Sequence, residues 1–287
     1  MASGRLPGQT NMKDELIIQA GRSEAHYWRD LWRYRELFGF LAWRDVLVRY
    51  KQTVIGIAWA LIRPILTTAI LTIVYGGLAG FHSHEIPYPI LVLVGNIPWM
   101  FFSTALSDSS QSLVANSNLV SKVYFPRMIL PASAVIVALV DCLICLGLLP
   151  FLMAWYDYWP SWRVVTLPFF IVLAMLTALG PGLLVTALNV KFRDFRYIVP
   201  FIVQFGLYLS PVGFTTTLIG EKFGPTWQFI YSLNPMVGVI HGFRWALCET
   251  APLNTQVLFT SMAFSMVFLL IGIWYFRRTE KTFADII

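Results

Sequence analysis

The stretch that decides the fold runs Arg44-Asp45-Val46-Leu47-Val48-Arg49-Tyr50-Lys51-Gln52-Thr53-Val54-Ile55-Gly56-Ile57-Ala58-Trp59-Ala60-Leu61-Ile62-Arg63-Pro64. Up to Thr53 it carries four charged side chains; from Val54 to Ile62 it carries none. Beyond Arg63-Pro64 the apolar run continues to Gly80. A helix over 54–80 would be roughly 40 Å long, more than the ~30 Å of a bilayer's hydrocarbon, so its charged end can reach the interface. The break at Thr53/Val54 therefore marks where lipid begins, with a basic headpiece at one face of the membrane.

Composition extends this reading to the whole chain. Of its 287 residues, 13% are charged and 57% hydrophobic, against roughly 25% and 45–50% in soluble domains. Mean hydropathy is +0.65. The net charge of +6 is read as topology, not as nucleic-acid binding. A secretory signal peptide is not expected, because the first apolar run follows a long charged segment. Cys142 and Cys145 lie inside an apolar run with no His or further Cys nearby, so they read as small buried hydrophobes.

Upstream of the break, residues 1–27 are polar and aperiodic, a loosely ordered tail. Residues 28–53 read as a cytoplasmic amphipathic interface helix. Arg29, Asp30, Arg33 and Glu36 share one face; Trp28, Leu31, Trp32 and Phe38 share the other, with Arg35 out of pattern and Gly39 marking a bend. Such a helix suits the membrane surface; a helix packed on a partner is the alternative.

Downstream, the transmembrane region 54–276 divides into six predicted spans: 54–80, 86–112, 129–154, 164–190, 197–219 and 255–276. Trp and Tyr at several ends fit interfacial belts. The segment 220–254 is broken by Asn234-Pro235, Gly238 and Gly242 and carries His241 and Arg244. It reads as a re-entrant pair of short helices, since irregular backbone at membrane depth needs protein or water around it. Charge supports six spans with both termini inside. The inside segments 1–53, 113–128, 191–196 and 277–287 hold 9, 2, 3 and 3 Lys and Arg; the outside segments hold three in all. Making 220–254 a further span would put Arg277, Arg278 and Lys281 outside, against the positive-inside rule. The predicted fold is all-α and polytopic.

Phosphate-loop, zinc-protease and nucleophile-elbow patterns are absent from the sequence, and His26, His82, His84 and His241 are scattered. More telling are three runs. The first is the opening stretch, Arg44-Asp45 through Arg49-Tyr50-Lys51 and Gly56 to Trp59 and Arg63-Pro64. The second is Asn118-Leu119-Val120 with Lys122-Val123-Tyr124-Phe125-Pro126-Arg127, inside the cytoplasmic segment 115–128. The third is Leu233-Asn234-Pro235-Met236 with the stretch to Arg244. Together, in this order and at these topological places, they resemble type-2 ABC exporter permeases of the polysaccharide class, over about residues 28–287.

That resemblance implies a homodimer in the bacterial inner membrane, with two copies of a separate ATPase docked on its cytoplasmic side. ATP and Mg²⁺ would be bound by that ATPase, and this chain would hold no cofactor. The cargo would be an undecaprenyl-type lipid-linked glycan such as an O-antigen, a teichoic acid or a capsule. It also implies roles. Arg44, Asp45, Arg49, Tyr50, Lys51, Trp59 and Arg63 would frame the substrate doorway, their cations meeting the carrier's pyrophosphate. Asn118, Lys122, Tyr124, Phe125 and Arg127 would seat in the ATPase. Asn234, Pro235, His241 and Arg244 would cap the outer end of the channel. Lys191, Arg193, Asp194 and Arg196 stay open between solvated topology charges and a second ATPase contact.

Aromatic residues make up 16% of the chain. Tyr75, Trp99, Phe101, Phe102, Tyr208 and Phe214 are candidates for stacking on sugars along the path, against a reading as packing or interfacial anchors. Asp108 and Asp141 are the acids in or near spans; Asp141 is the deeper, and a basic partner or a polar channel would account for it. Gly76 and Gly80 form either a helix-contact face or a fraying helix end. Two rivals remain at this stage: a type-2 permease for a drug or lipid, and an integral-membrane enzyme acting on a lipid-linked sugar with His241 or Asp141 as base.

Overall fold

The computed structural model describes residues 27–51, 57–78, 80, 86–248 and 253–283. The Thr53/Val54 break, the tail before Tyr27, and His82 and His84 lie outside the described residues. Within them the chain is all-α, and no strand occurs.

Two helices precede the membrane region, α1 (Tyr27–Arg33) and α2 (Arg35–Lys51). The first span is α3 (Ile57–Leu71), continued by a π-helical turn over Thr72–Leu78. Next come α4 (Tyr88–Ala115), the short α5 (Ser117–Lys122), α6 (Ile129–Leu146) and α7 (Leu149–Trp155). A 3₁₀ turn over Trp162–Thr166 leads into α8 (Leu167–Lys191), followed by α9 (Phe195–Leu209). The chain then forms α10 (Thr216–Phe223), α11 (Pro225–Ser232), α12 (Pro235–Cys248) and α13 (Thr255–Glu280).

Five of these stretches are long and apolar enough to cross a membrane: 58–78, 88–115, 129–155, 162–191 and 255–280. The protein is a multi-pass membrane protein. α4 is its central pillar. Its first half is apolar nearly all round, as in a helix enclosed by others, and it is buried from Ile90 through Leu113 on most of its faces, with polar side chains gathered in its second half. It packs on α3, α6, α8, α9 and α12. By contrast, α3 and α13 turn large apolar residues outward, among them Ile70, Ile73, Phe259 and Leu270.

Several expectations are corrected. The predicted fifth span, 197–219, breaks at Ser210, which is extended (φ −109°, ψ 148°). Pro211 follows it, and the residue before a proline is pushed out of the helical region. The segment 220–254 holds two whole helices, α11 and α12, which meet at Asn234-Pro235, and the end of α10 runs into it from Thr216. Its last helix, α12, is a core element, with Val237, Val239, Ile240, Phe243 and Ala246 fully buried. The helix is interrupted at Tyr34 and runs unbroken through Gly39, and Phe38 N–H still donates to the Tyr34 carbonyl across the joint. The expected apolar face of α1 is divided. Leu31 and Phe38 pack with Tyr27, Tyr34 and Leu37 onto the bundle, while Trp28 and Trp32 stay exposed. Gly76 lies against the Tyr88 ring, whereas Gly80 falls past the last helical residue, Leu78, so the pair makes no common helix face.

The core has two parts. The larger fills the bundle around α4, α8 and α12. The smaller gathers Leu41, Leu113, Phe125, Met128, Val190, Phe276 and Phe283. The C-terminal ends of α4, α8 and α13, the start of α6, and α1 with α2 therefore meet at one end of the bundle.

Candidate functional site

The site is built on α2, which does not lie flat across the end of the bundle. Arg44 Nε donates to Asp45 (2.8 Å), and its Nη2 donates to Asn116 Oδ1 (3.0 Å) at the end of α4. Five residues on, Arg49 reaches Asp108, eight residues back along α4. Its Nη2 donates to Asp108 Oδ2 at 2.5 Å and its Nη1 to Asp141 Oδ2 of α6 at 2.6 Å. The Tyr50 hydroxyl donates to the other Asp141 oxygen. α2 thus runs along α6, and its Arg44 and Arg49 side chains reach across to Asn116 and to α4. Asp141 lies twelve residues into α6, about 18 Å from its start at 1.5 Å per residue.

The three side chains are half-buried, and one guanidinium shared by two acids gives each carboxylate a charge-assisted partner within the bundle. Burial works against the Arg49 charge, but the Asp108 and Asp141 carboxylates more than compensate and hold its pKa above the ordinary arginine value. Burial, then the bond to Asp141, pushes the Tyr50 phenol up, so it remains a proton donor.

Beside this cluster is a cavity of about 540 Å³, lined by Arg49, Tyr50, Trp59, Arg63, Phe101, Asp108, Asp141, Cys142 and Cys145. Ser103, Thr104 and Ser107 add hydroxyls. Five of the predicted site residues (Arg49, Tyr50, Trp59, Arg63 and the aromatic Phe101) thus share one chamber. Arg63 makes no ion pair among the described residues. Lys51 is exposed at the end of α2. Arg44 and Asp45 sit lower; Asp45 lines a second hollow of about 420 Å³ with Gln111 and Asn116.

The segment 117–127 splits into two faces. Asn118, Lys122 and Tyr124 are exposed. Phe125 is not: at 3% exposure it belongs to the smaller core, which corrects its expected place on a docking surface. Arg127 also turns inward. Its backbone N–H donates to Glu280 Oε1 (2.7 Å), and its guanidinium donates to the Glu280 carbonyl.

The aromatic candidates do not form one lining. Trp99, Phe101 and Phe102 are buried in the core, with the Trp99 and Phe102 rings 5.5 Å apart. Tyr75 packs edge-on to Phe214 at 6.3 Å, and Phe214 in turn lies 6.2 Å from Tyr231. Tyr208 is exposed, on the outward side of α9 with Phe201 and Phe205.

The capping residues are internal joints. The Asn234 carboxamide oxygen accepts from Met236 N–H (3.0 Å) and so caps α12, whose first helical residue is Pro235. His241 Nε2 accepts from the Asn254 N–H (3.1 Å), and His241 and Asp141 belong to separate clusters. Arg244, 4% exposed, donates to the carbonyls of Val212 and Phe214, each at 2.6 Å. Among the described residues no group of three or more His, Cys, Asp or Glu is placed to hold a metal.

Sequence reasoning did not pick out Glu280 or the chamber hydroxyls Ser103 and Thr104 of α4. The latter had a legible signal: Met100, Ser103, Thr104, Ser107, Asp108 and Gln111 recur at helical spacing within an apolar span.

Comparison with known proteins agrees with this architecture. The chain is 27% identical over 258 residues to the O-antigen export system permease protein RfbA of Myxococcus xanthus, covering 90% of this chain and 97% of that one. It is 25% identical to a protein of the same name from Klebsiella pneumoniae, over 85% of this chain and 92% of the relative. It is 24% identical to the polysialic acid transport protein KpsM of Escherichia coli, over 83% and 91%. Residues 36–248 match the family described as ABC-2 type transporter. That match runs from α2 through α12, taking in the charged chamber, the exposed 117–124 segment and the buried Arg244 joint, and this chain belongs to the ABC-2 type transporter family as a membrane-spanning permease.

Proposed function

We propose that the chain exports a lipid-linked polysaccharide, of the O-antigen kind, across the bacterial inner membrane. It would work as two copies with two copies of a separate ATPase, which binds ATP and Mg²⁺. The observation that carries this reading is the chamber between α2, α3, α4 and α6. It combines cations, carboxylates, hydroxyls and aromatic rings, in a chain similar over nearly its whole length to O-antigen and polysialic acid transporters. The concentration of Lys and Arg at the end where α1, α5 and the close of α13 meet supports a cytoplasmic place for that end and for both termini.

In this reading the carrier's phosphate approaches beside α2. Arg44 and Arg49 already have acid partners, so Lys51 and Arg63 are the cations better placed to meet it. The exposed Asn118, Lys122 and Tyr124 receive the ATPase, a mixture of aromatic and basic side chains suited to an interface. No covalent step falls to this chain.

The test is reconstitution in vesicles with the partner ATPase and a lipid-linked glycan. ATP hydrolysis that rises with the glycan, together with its appearance in the lumen, is the expected result. Glycan that is chemically altered by the chain alone would overturn the proposal.

A further inference from the structure

Arg49 touches two helices that have something else in common. Asp108 is on α4 and Asp141 is on α6. α4 ends at Ala115 and α6 begins at Ile129, so the segment between them contains α5 and the exposed Lys122 and Tyr124. The two helices bridged by one guanidinium are those that the exposed segment joins.

We infer that Arg49 is the brace of a gate: it ties α2 to both α4 and α6, and a force on the 117–124 segment that separates these helices releases α2 and opens the chamber. The inference rests on reading that segment as the ATPase seat.

Three observations support it. First, the fork is the only ion pair among the described residues that joins α2 to other helices; Arg44 pairs with its own neighbour, Asp45, and adds one hydrogen bond to the neutral Asn116 at the end of α4. Second, the bonds are geometrically demanding. A planar guanidinium with one nitrogen on each acid tolerates little change in the spacing of the acids, so a shift of an ångström or two between α4 and α6 breaks one arm. Third, Arg49, Tyr50, Asp108 and Asp141 all line the chamber, so breaking the fork alters its wall directly. Arg49 is then a positioning residue. While the fork is closed its charge is held by carboxylates; opening frees it for an incoming phosphate.

The chamber carries its own reporters, since Cys142 and Cys145 line it. The other cysteine, Cys248, is buried in α12 and is removed as Cys248→Ser. The full chain with its ATPase, in lipid vesicles, is treated with a small cationic methanethiosulfonate, and the labelling rate is followed with and without ATP trapped by vanadate. Without nucleotide the parent labels slowly. Arg49→Gln raises that rate by about tenfold, the size expected for one lost charge-assisted hydrogen bond, and trapped ATP raises the parent to a similar rate. Arg49→Lys falls between the two, because an ammonium lacks the planar two-armed fork. Asp108→Asn and Asp141→Asn keep side-chain shape, and each raises the rate part way, so the test survives misfolding of any one variant. Arg49→Gln and both Asn variants labelling at the parent rate, or a parent rate that trapped ATP leaves unchanged, would overturn the inference. Failure of the transport reading shows separately, as ATP hydrolysis indifferent to the glycan while the nucleotide-free Arg49→Gln effect persists.

Discussion

Arg244 is a cation held by carbonyls. It sits inside the bundle and donates to Val212 and Phe214, fixing α12 to the turn that ends α9. The joint has a steric partner in Gly95 of α4. A Cβ added there would lie 2.6 Å from Arg244 Nη2 and 2.9 Å from the Val212 carbonyl. Removing the guanidinium as Arg244→Ala leaves two buried carbonyls without donors, at a cost of about 3 kcal/mol. Gly95→Ala forces the same contacts apart and costs about 1–3 kcal/mol. Because both act on one joint, the double variant is expected to lose less than the sum; melting in detergent, followed by Trp fluorescence, checks this, and strict additivity would contradict it. At this scale the sequence was partly legible. Asp141 was expected to have either a basic partner or a polar channel beside it, and Arg49 was already marked on α2. What periodicity could not supply was the match between them, 92 residues apart, because such a pairing depends on how the helices pack.

Among the elements, the 117–127 segment shows how neighbouring residues come to do different things. Val123 is the extended residue that ends α5 (φ −125°, ψ 133°). The chain then turns from the surface into the bundle, so Val123 and Tyr124 stay out at 50% and 60% exposure while Phe125 packs in at 3%. Tyr124→Ala is therefore expected to weaken capture of the ATPase on an affinity column while leaving the melting temperature unchanged. Phe125→Ala is expected to lower stability by about 3–5 kcal/mol through the cavity it leaves, and any loss of ATPase binding follows from that. Equal melting temperatures for the two variants would contradict the assignment. The crossing of α8 and α13 is a second such case. Thr177 and Ser265 pair their hydroxyls at 2.7 Å, and a Cβ on Gly272 would meet the Gly180 carbonyl at 2.2 Å. Gly272→Ala must push two spans apart and is expected to destabilise by about 1–3 kcal/mol, again read as a fall in melting temperature. The long spans were legible because apolar length dominates there. The end of α9 was not read correctly, although Ser210-Pro211 stood in the sequence, because apolar length was weighed above the proline rule.

For the molecule as a whole, parity bears on the topology. Five stretches are long enough to cross, and five crossings would leave the start of α2 and the end of α13 on opposite sides. Yet Leu37 and Leu41 of α2 pack in the same cluster as Phe276 and Phe283. Arg277 also lies over the Tyr27 ring at 4.8 Å. A sixth crossing, made by the shorter apolar helix α9, is the expectation that reconciles the two. Its fifteen residues span about 22 Å, less than the ~30 Å of hydrocarbon, so the turn after Leu209, where Val212 N–H donates to the Ser210 carbonyl, would complete the passage. Pinning of the Val212 and Phe214 carbonyls by Arg244 keeps that non-helical backbone satisfied inside protein, the condition for its presence at membrane depth. The expectation is tested with single cysteines in a background lacking the native three. Lys122→Cys and Lys281→Cys, both exposed positions at the shared end, are expected to react with an impermeant maleimide only after the inner membrane of spheroplasts is opened. Asp157→Cys, exposed just past α7, is expected to react in intact spheroplasts. If Lys281→Cys instead reacts in intact spheroplasts while Lys122→Cys does not, the number of crossings is odd and α9 does not span.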